Sequence, residues 1–525
     1  MTINDQANQM TIENFSNRRE LVSMLEAAKK KNTLNEPVHV QFSGYDQLLE
    51  VYPASVRMHP KGGVFLAGRY NDRDALFILG KETLRVIREY EGEIIFRHSD
   101  FSVMKCRWTR RNAQKIREHF PGFAPSFEQN GQVSISFGDV LGLAGKAQLK
   151  AFNGKADLAF SRQCIHQLEK LDIHPLDALD AVTSTIFQEG YEGGYSAEAC
   201  HLTTPDQVRT MLNAGYTRFS LEPSGPTLFS LREKPKKELL GYMLEVPWIA
   251  LKDKFELLLH RYKGNRIDLG PVRFSQDNEQ EDTVIIMPSE AEILAAIRML
   301  SEIIIQVAEM EKVLTEEGRR DDVILEVSFA RSKGVLTPFE LFFLMTELLR
   351  HDVMVDYIAP GDLTPELWAV ARNTRLMGLS GMLRHLEHIP HETSGLRFHG
   401  VVEDISYLTA LQCIANEDPG LFRKIWTLSR NVLEQVKIET GLDLNIQKFP
   451  SEKEYADEDL PNLLKIERVD LFLKHTMSEV FARKDEQGRR FLRTAVFDFI
   501  RKHESDYTDA LVKRYEDAVG TRPAG

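Results

Sequence analysis

The sequence predicts an α/β protein whose core is a (β/α)8 barrel of the TIM type, with a β-rich lobe before it and helices after it. From about residue 130, short apolar strands alternate with helices over ~320 residues, an order typical of a parallel sheet. From 37 to about 107, short strands instead follow one another with only turn residues between them. An open, doubly wound sheet is the second possibility for the alternating part.

These patterns divide the 525 residues into four regions and one insertion. The regions are an N-terminal helix (1–34), a small β-rich lobe (35–128), a TIM-barrel-like catalytic domain (129–450, with an insertion at 223–282) and a C-terminal helical region (451–525). The insertion holds a Pro-Ser-Gly-Pro turn, a basic run and an acidic run, which is typical of a surface excursion.

The first two regions are predicted from simple periodicities. Residues 11–31 have an amphipathic helical pattern that ends in three lysines, and Thr109–Phe120 is a helix with a capping threonine. Alternating or continuous apolar runs predict the strands of the lobe: Val38–Phe42, Gly63–Ala67, Ala75–Leu79, Glu93–Phe96 and Phe101–Lys105.

In the barrel region, strands and helices are told apart by length and period. The predicted strands are Val133–Phe137, Tyr216–Leu221, Thr283–Met287, Val323–Phe329, Val353–Ala359 and Leu396–Val402. The predicted helices are Pro175–Glu189, Pro205–Ala214, Ser289–Thr315, Pro338–Arg350 and Ser406–Asn416. Residues 463–519 are predicted to be helical.

Composition narrows the class of function. A net charge of -12 argues against a nucleic-acid partner or an anionic membrane surface. No apolar run reaches the ~18 residues of a membrane-spanning helix, and the N-terminus lacks the layout of a signal peptide. The four cysteines lie far apart, which suits a reducing cytoplasm and argues against a zinc knuckle or a disulfide scaffold. The absence of GxGxxG and GxxxxGK[ST] argues against nucleotide chemistry.

Catalytic groups of a parallel barrel stand at the carboxyl ends of its strands. Asp139 follows a predicted strand in a Gly-rich turn, and Glu198-Ala-Cys-His201 lies in a predicted Gly/Tyr-rich loop. Glu326 and Ser328 alternate along another strand and share one face. His399 lies on the last predicted strand. A carboxylate three residues before a histidine suits two ligands of one divalent cation.

Each of these features also has a purely structural interpretation. Asp139 would cap the helix that follows it, the Glu198–His201 pair would be a surface pair, and His399 a hydrogen-bonded interior histidine. The histidines at 385, 388 and 391 resemble a metal-binding cluster in composition, but Pro390 interrupts their helical face, and we interpret them as a loop.

Several segments, in this order and at similar spacing, resemble the tagaturonate/fructuronate epimerase family. They are Val51–Val56, Ser136–Ala144, His201–Asp206, Ala214–Tyr216, Glu326–Ser328, Thr337–Phe343, Ala359–Pro360, Ser406–Leu411 and Asp418–Pro419. The resemblance covers most of the chain from about residue 35. It implies a barrel fold and metal-assisted epimerisation of a keto-uronate, and similar enzymes can be made to act on neutral ketoses.

The resemblance and the residue pattern together suggest roles. A divalent ion (Zn, Mn, Ni or Mg) would be held by Glu198, His201 and His399. Asp139, Glu326 or His399 would transfer protons. Ser328 and Arg331 would bind the substrate, with Arg331 replacing an anion clamp that the family provides elsewhere.

This sequence differs from the family at several polar positions. Val140 stands in place of an arginine, Cys200 in place of an acid, and Val401 in place of a lysine, while Ala330–Lys333 replaces an acidic run. Two hypotheses follow. The first is a cytoplasmic epimerase or isomerase of a sugar acid or ketose, with a homo-oligomer left open. The second is a catalytically impaired relative that serves as a carbohydrate-binding or partner subunit.

Overall fold

The computed structural model describes most of the chain as two compact units. The described residues are 3–6, 9–31, 35–45, 47–71, 73–127, 131–139, 141–223, 229–273, 281–330, 334–383, 395–402, 404–440 and 449–519. The first unit comprises Met1–Pro125 and Leu176–Gly194, and the second comprises Ser126–Pro175 and Tyr195–Gly525.

The first unit is built on one nine-stranded sheet with the order β1-β2-β3-β4-β6-β7-β9-β8, in which β5 pairs with β6. Its strands are β1 (Ile3–Gln6), β2 (Gln9–Ile12), β3 (Val38–Val40), β4 (Leu49–Val51), β5 (Arg57–Met58), β6 (Val64–Tyr70), β7 (Arg73–Gly80), β8 (Gly92–Arg97) and β9 (Ser102–Cys106). Its pairs are antiparallel except β2 with β3. Within Met1–Pro125, its helices are α1 (Arg18–Lys31), α2 (Arg85–Arg88) and α3 (Arg110–His119).

The core of this unit forms where α1 packs on the sheet. Leu21 and Leu25 of α1 are fully buried in one apolar cluster with Phe77 of β7. The predicted helix over 11–31 is wrong in its first two turns: β2 ends at Ile12, Asn14 has a left-handed φ of 58°, and α1 begins at Arg18. Pairing of β2 with β1 and β3 replaces the helical start.

The second unit is a closed barrel of eight parallel strands, which confirms the predicted fold class. Its strands are β10 (Val133–Gly138), β11 (Asp157–Cys164), β12 (Ser196–Leu202), β13 (Arg218–Leu221), β16 (Ile324–Ser328), β17 (Tyr357–Ala359), β18 (Gly378–Met382) and β19 (Arg397–Val402). β10 pairs with β19, which closes the ring.

Helices follow the barrel strands as the alternating pattern predicts. They are α4 (Gly145–Phe152), α5 (Ile165–Leu171), α6 (Pro175–Gln188), α7 (Pro205–Ala214), α10 (Glu290–Glu316), α11 (Pro338–Arg350), α12 (Pro365–Asn373), α13 (Ser406–Glu417) and α14 (Pro419–Thr440). From Leu176 onwards, α6 belongs to the first unit although it follows a barrel strand in the chain.

The predicted insertion forms regular helices and strands. It contains α8 (Lys236–Tyr242), α9 (Phe255–Tyr262) and β14 (Ile267–Arg273), and β14 pairs antiparallel with β15 (Glu281–Ile286), which begins at the end of the insertion. The prediction that Thr283–Met287 is a barrel strand is therefore wrong, because these residues lie largely in β15, which pairs with β14 outside the barrel. Instead β11, β12 and β18, which the periodicities do not predict, complete the barrel.

The C-terminal helices belong to the same compact unit as the barrel. They are α15 (Val469–Ala482), α16 (Phe491–Lys502) and α17 (Glu504–Val519). Tyr515 of α17 is fully buried, with its ring centroid 5.5 Å from that of Phe137 on β10 and 5.9 Å from that of Phe152 on α4. Among the described helices, none is long and apolar enough to cross a membrane.

Candidate functional site

The interior of the barrel holds a cluster of charged side chains. The layers inside such barrels are usually filled by branched apolar residues. Here five strands contribute an ionisable residue each, and we call this set the barrel cluster: Arg162 (β11), Glu198 (β12), Arg218 (β13), Glu326 (β16) and His399 (β19). Ionised side chains are almost never fully buried unless paired, so the cluster is a candidate functional site.

Strand register explains why these residues meet. Glu198, Glu326 and His399 are each the third residue of their strand. Glu198 lies opposite Arg218 on the neighbouring strand, and His399 lies opposite Ser134. Residues in register on parallel barrel strands form one layer, so the cluster lies within the barrel and not in its loops.

Glu198, His399 and Ser134 form a buried hydrogen-bonded chain. Nε2 of His399 is 3.1 Å from Oε2 of Glu198, and Nδ1 is 2.7 Å from Oγ of Ser134. Glu198 and His399 are fully buried, and Ser134 is 3% exposed. Both ring nitrogens of the histidine are therefore occupied, and the ring orientation is fixed from both sides.

The protonation states within this chain follow from its surroundings. Burial would raise the pKa of Glu198, but Arg162 and His399 outweigh it and hold that pKa well below its usual range. Burial and the charge of Arg218 lower the pKa of His399, despite the nearby Glu198. A charged Glu198 beside a neutral His399 requires the histidine proton on Nε2, where it is donated to Glu198, and leaves Nδ1 as an acceptor for the Ser134 hydroxyl.

Arg218 and Glu326 form the second half of the barrel cluster. Nη2 of Arg218 donates to Oε2 of Glu326 at 2.8 Å, and Oε1 of Glu326 accepts from Ser220 at 2.8 Å. Ser380 donates to Oε2 at 2.5 Å. Burial would raise the pKa of Glu326, but Arg218 and His399 outweigh it and lower it. Glu326 is thus ionised and fully engaged.

Arg218 itself is incompletely satisfied. Its guanidinium stacks over the ring of Tyr357, 4.4 Å from the centroid. Nε and Nη1 are buried and have no hydrogen-bond acceptor among the described residues. A buried charged donor without an acceptor is costly, and such groups at native sites often await a ligand.

Asp139, predicted as a proton-transfer group, is engaged by its own loop. Its carboxylate accepts hydrogen bonds from the backbone N–H groups of Gly142, Leu143 and Ala144, at 2.9, 3.3 and 2.8 Å. Burial, with the nearby Asp404, nevertheless raises the pKa of Asp139 to about 7, although the three N–H groups lower it. The carboxylate thus holds the turn before α4, whereas the structural interpretation of the sequence placed it as the cap of the helix itself.

The other predicted site residues lie at the ends of strands or beyond them. His201 is half-buried on β12, with a left-handed φ of 60°. The predicted loop around Glu198–His201 is wrong, because both residues belong to this strand. Ser328 ends β16, and its Oγ accepts from the N–H of Ala330 at 3.3 Å. Arg331 and the histidines at 385, 388 and 391 lie outside the described residues.

The predicted metal ligands Glu198, His201 and His399 lie on two barrel strands, β12 and β19. Glu198 and His399 meet, but they bond to each other, and a guanidinium holds the other oxygen of Glu198. Among the described residues, no group of three or more His, Cys, Asp or Glu side chains is placed to hold a metal ion. The ligand set Glu198, His201 and His399 therefore stays a prediction.

Sequence reasoning missed three members of this site: Ser134, Arg162 and Arg218. Ser134 and Arg218 lie in predicted strands, and Arg162 lies in a strand that was not predicted. An arginine and a glutamate in two predicted interior strands, Arg218 and Glu326, form a signal that could have indicated a buried pair. The geometry around Arg162 depends on a strand irregularity that the sequence pattern hides.

Known proteins match this chain along most of its length. A family model described as tagaturonate epimerase matches residues 52–362 and 387–519. A tagaturonate/fructuronate epimerase of Thermotoga maritima is 24% identical over 497 residues, covering 90% of this chain and 96% of the relative.

Solved structures show the same fold. A glycerol-complexed fructuronate-tagaturonate epimerase from Cohnella laeviribosi superposes with a TM-score of 0.77 at 20% identity, covering 96% of this chain and all of the other. Its native crystal structure gives the same TM-score at 21% identity, covering 95% of this chain and 100% of the other.

Proposed function

The chain belongs to the tagaturonate epimerase family and is therefore an epimerase, and from this premise we propose that it interconverts the keto-uronates tagaturonate and fructuronate. The observation that carries the proposal is the buried charged cluster inside the barrel of such a family member. It joins a proton-transfer chain to guanidinium groups that suit an anionic sugar. The alternative of an impaired, non-catalytic relative is not favoured by these comparisons.

The reaction sets clear chemical demands. The carbon to be inverted lies one bond beyond the α carbon of the ketone, so its C–H is not directly acidified. A route through carbon–carbon cleavage and re-closure removes the hydroxyl proton and forms an enolate. Such a route needs a group that accepts and returns this proton, and donors that stabilise negative charge on the enolate oxygen.

We assign proton transfer to His399. Its neutral ring accepts the Ser134 hydroxyl at Nδ1, so a proton passed from the substrate hydroxyl through Ser134 would form an imidazolium there. The charged Glu198 at 3.1 Å from Nε2 would stabilise that imidazolium, and the same chain would return the proton on re-closure.

The N–H groups of Arg218 are suited to the developing oxyanion. Nη2 is held by Glu326, while Nε and Nη1 have no acceptor among the described residues. Fixed donors in a dry site stabilise charge as it forms without having to reorient. The hydrogen bonds that engage Glu326 favour a positioning role over the predicted role in proton transfer.

The divalent metal implied by the resemblance stays a prediction, and no step above depends on it. This prediction is tested by measuring the metal content of the purified protein and the activity of the His201→Ala variant. The cytoplasmic location and a homo-oligomer also stay predictions, the latter measured by light scattering of the eluting protein.

The proposed activity is tested by incubating the purified chain with tagaturonate and following fructuronate by NMR. We expect turnover in the wild type and a loss of roughly 100-fold or more in kcat for His399→Gln, as is typical of a removed acid–base group. His351→Gln, a change at the end of α11, is the control. Absence of interconversion with and without added divalent metal would overturn the proposal. The same assay is run with tagatose, a neutral ketose, as a second candidate substrate.

A further inference from the structure

We propose that Arg162 binds the carboxylate of the substrate and so selects sugar acids over neutral sugars. This inference rests on the proposed function, because it names the residue that would read the acid group. Within the barrel cluster, the Arg162 side chain is 19% exposed, whereas Glu198, Arg218, Glu326 and His399 are at most 2% exposed. Arg162 is thus the most accessible charged member of the cluster.

The position of Arg162 on its strand explains this exposure. It is the sixth residue of the eight in β11, nearer the carboxyl end of the strand than the other members. Ser161, just before it, has a left-handed φ of 54°. The pairing of β11 with both neighbouring strands shifts register here. Bulges of this kind re-aim a side chain, and they are common beside active sites.

One side of the guanidinium is already anchored. Nε of Arg162 donates to Oε1 of Glu198 at 3.0 Å, and the second oxygen of Glu198 is held by His399. Among the described residues, we find one hydrogen-bond acceptor for the Arg162 guanidinium, the carboxylate of Glu198. With Nε occupied, Nη1 and Nη2 remain as a planar fork that matches the two oxygens of a carboxylate.

A second observation points to a ligand in the same cluster. Arg218 is fully buried, and its Nε and Nη1 have no acceptor among the described residues. Oxygen atoms of a bound sugar acid would satisfy these donors as well. Arg331, which the sequence predicts as the group that binds the substrate anion, lies outside the described residues. Arg162 lies within them and has a guanidinium that can bind the same anion.

The test measures binding and does not depend on turnover. Calorimetric titrations compare D-gluconate, a six-carbon sugar acid without the ketone, with sorbitol, its neutral counterpart. We expect the wild type to prefer gluconate. Arg162→Gln should weaken gluconate binding about 10- to 100-fold and sorbitol binding less than about twofold, as expected for lost charged hydrogen bonds. Arg162→Lys keeps the charge but not the fork, so it should give an intermediate loss.

Arg320→Gln is the matched control. The Arg320 side chain is 17% exposed and paired with Asp356 and Glu311, but it precedes β16 and so lies at the amino end of the barrel strands. This variant should retain the preference for gluconate. Thermal denaturation of each variant identifies any that fails to fold, in which case Arg162→Lys carries the test.

The outcomes separate this inference from the proposed function. An unchanged preference for gluconate in folded Arg162→Gln or Arg162→Lys, or no preference in the wild type, overturns the role of Arg162 whether or not tagaturonate is epimerised. An Arg162-dependent preference without any epimerisation supports the role of Arg162 and overturns the proposed activity.

Discussion

Asp139 illustrates how one residue can satisfy two interpretations of the same motif. Its carboxylate caps the turn before α4, as a structural aspartate would. Yet burial and Asp404 raise its pKa to about 7, which is the range expected of a proton-transfer group. Geometry favours the structural role, since three backbone N–H groups occupy both oxygens.

The raised pKa of Asp139 predicts a pH-dependent stability. Because the folded state binds this proton more tightly than the unfolded state, the contribution to stability is fully present below about pH 4 and lost as pH rises through about 7. Relative to Asp139→Asn, the wild type should lose up to roughly 2–4 kcal/mol of unfolding free energy between pH 4 and 8. Urea denaturation of both proteins across this range measures the difference, and parallel curves would contradict it.

Some residues of the site could be identified from the sequence, and others could not. The pattern identifies Glu198, Glu326 and His399, and the structure places these three in one cluster. It does not identify Ser134 or Arg162, because a serine on an interior strand carries no distinct signal and the bulge at Ser161 breaks the alternation around Arg162. Arg218 lies on a predicted strand, but its partner Glu326 is 108 residues away in the chain, so the pair shows only when the two strands are considered together.

Among the elements, strands with distinct composition could be predicted and the others could not. β10, β13, β16 and β19 contain Val, Ile, Leu or Phe and are found within a few residues of their predicted bounds. β12 has the sequence Ser-Ala-Glu-Ala-Cys-His-Leu, whose small and polar residues have low strand propensity. Its place in the sheet is set by pairing with β11 and β13, which a local pattern does not contain.

The end of β10 depends on a close approach that only glycine allows. A Cβ at Gly138 would lie 2.8 Å from Cβ of Asp404 and 3.0 Å from its backbone N. Gly138→Ala should therefore destabilise the protein by about 1–3 kcal/mol, the usual range for overpacking. Gly241→Ala in α8 is the control, since nothing lies within 4 Å and alanine favours a helix. Urea denaturation measures both, and equal stabilities would contradict the close approach.

Helix α17 should stabilise the barrel through Tyr515. Its ring packs on Phe137 and Phe152, and its hydroxyl accepts from Nε2 of Gln148 at 3.2 Å. Tyr515→Ala should lower the unfolding free energy by about 3–5 kcal/mol, the usual loss for a large core ring. Tyr515→Phe should lower it by about 1–2 kcal/mol, because Gln148 loses an acceptor. Chemical denaturation measures the series, and a neutral Tyr515→Ala would contradict the packing role.

At the scale of the whole molecule, the two compact units are not two consecutive pieces of chain. Residues Leu176–Gly194 lie between barrel strands β11 and β12 in the sequence but belong to the first unit. Within that unit, Arg117 pairs with Asp180 at 2.8 Å, and the rings of Phe123 and Phe187 lie 5.1 Å apart. Periodicity predicts α6 correctly but carries no information about which core it joins.

This arrangement predicts that residues 1–125 do not form a stable fragment. Without Leu176–Gly194, Phe123 loses its ring contact with Phe187, and Arg117 loses its ion pair with Asp180. We expect the isolated fragment to lack a cooperative thermal transition by circular dichroism, while the full chain shows one. A sharp transition in the fragment would show that the inserted segment is dispensable.

The same inserted helix affects the order of events during synthesis. The first 125 residues are synthesised before Leu176–Gly194. The β-rich lobe therefore cannot be completed until roughly 70 further residues have been translated. At usual elongation rates this delay is about 3–14 s. During that interval, nascent β10 and β11 are already present beside an unfinished sheet. Completion of the lobe is thus timed by translation of a segment from within the barrel.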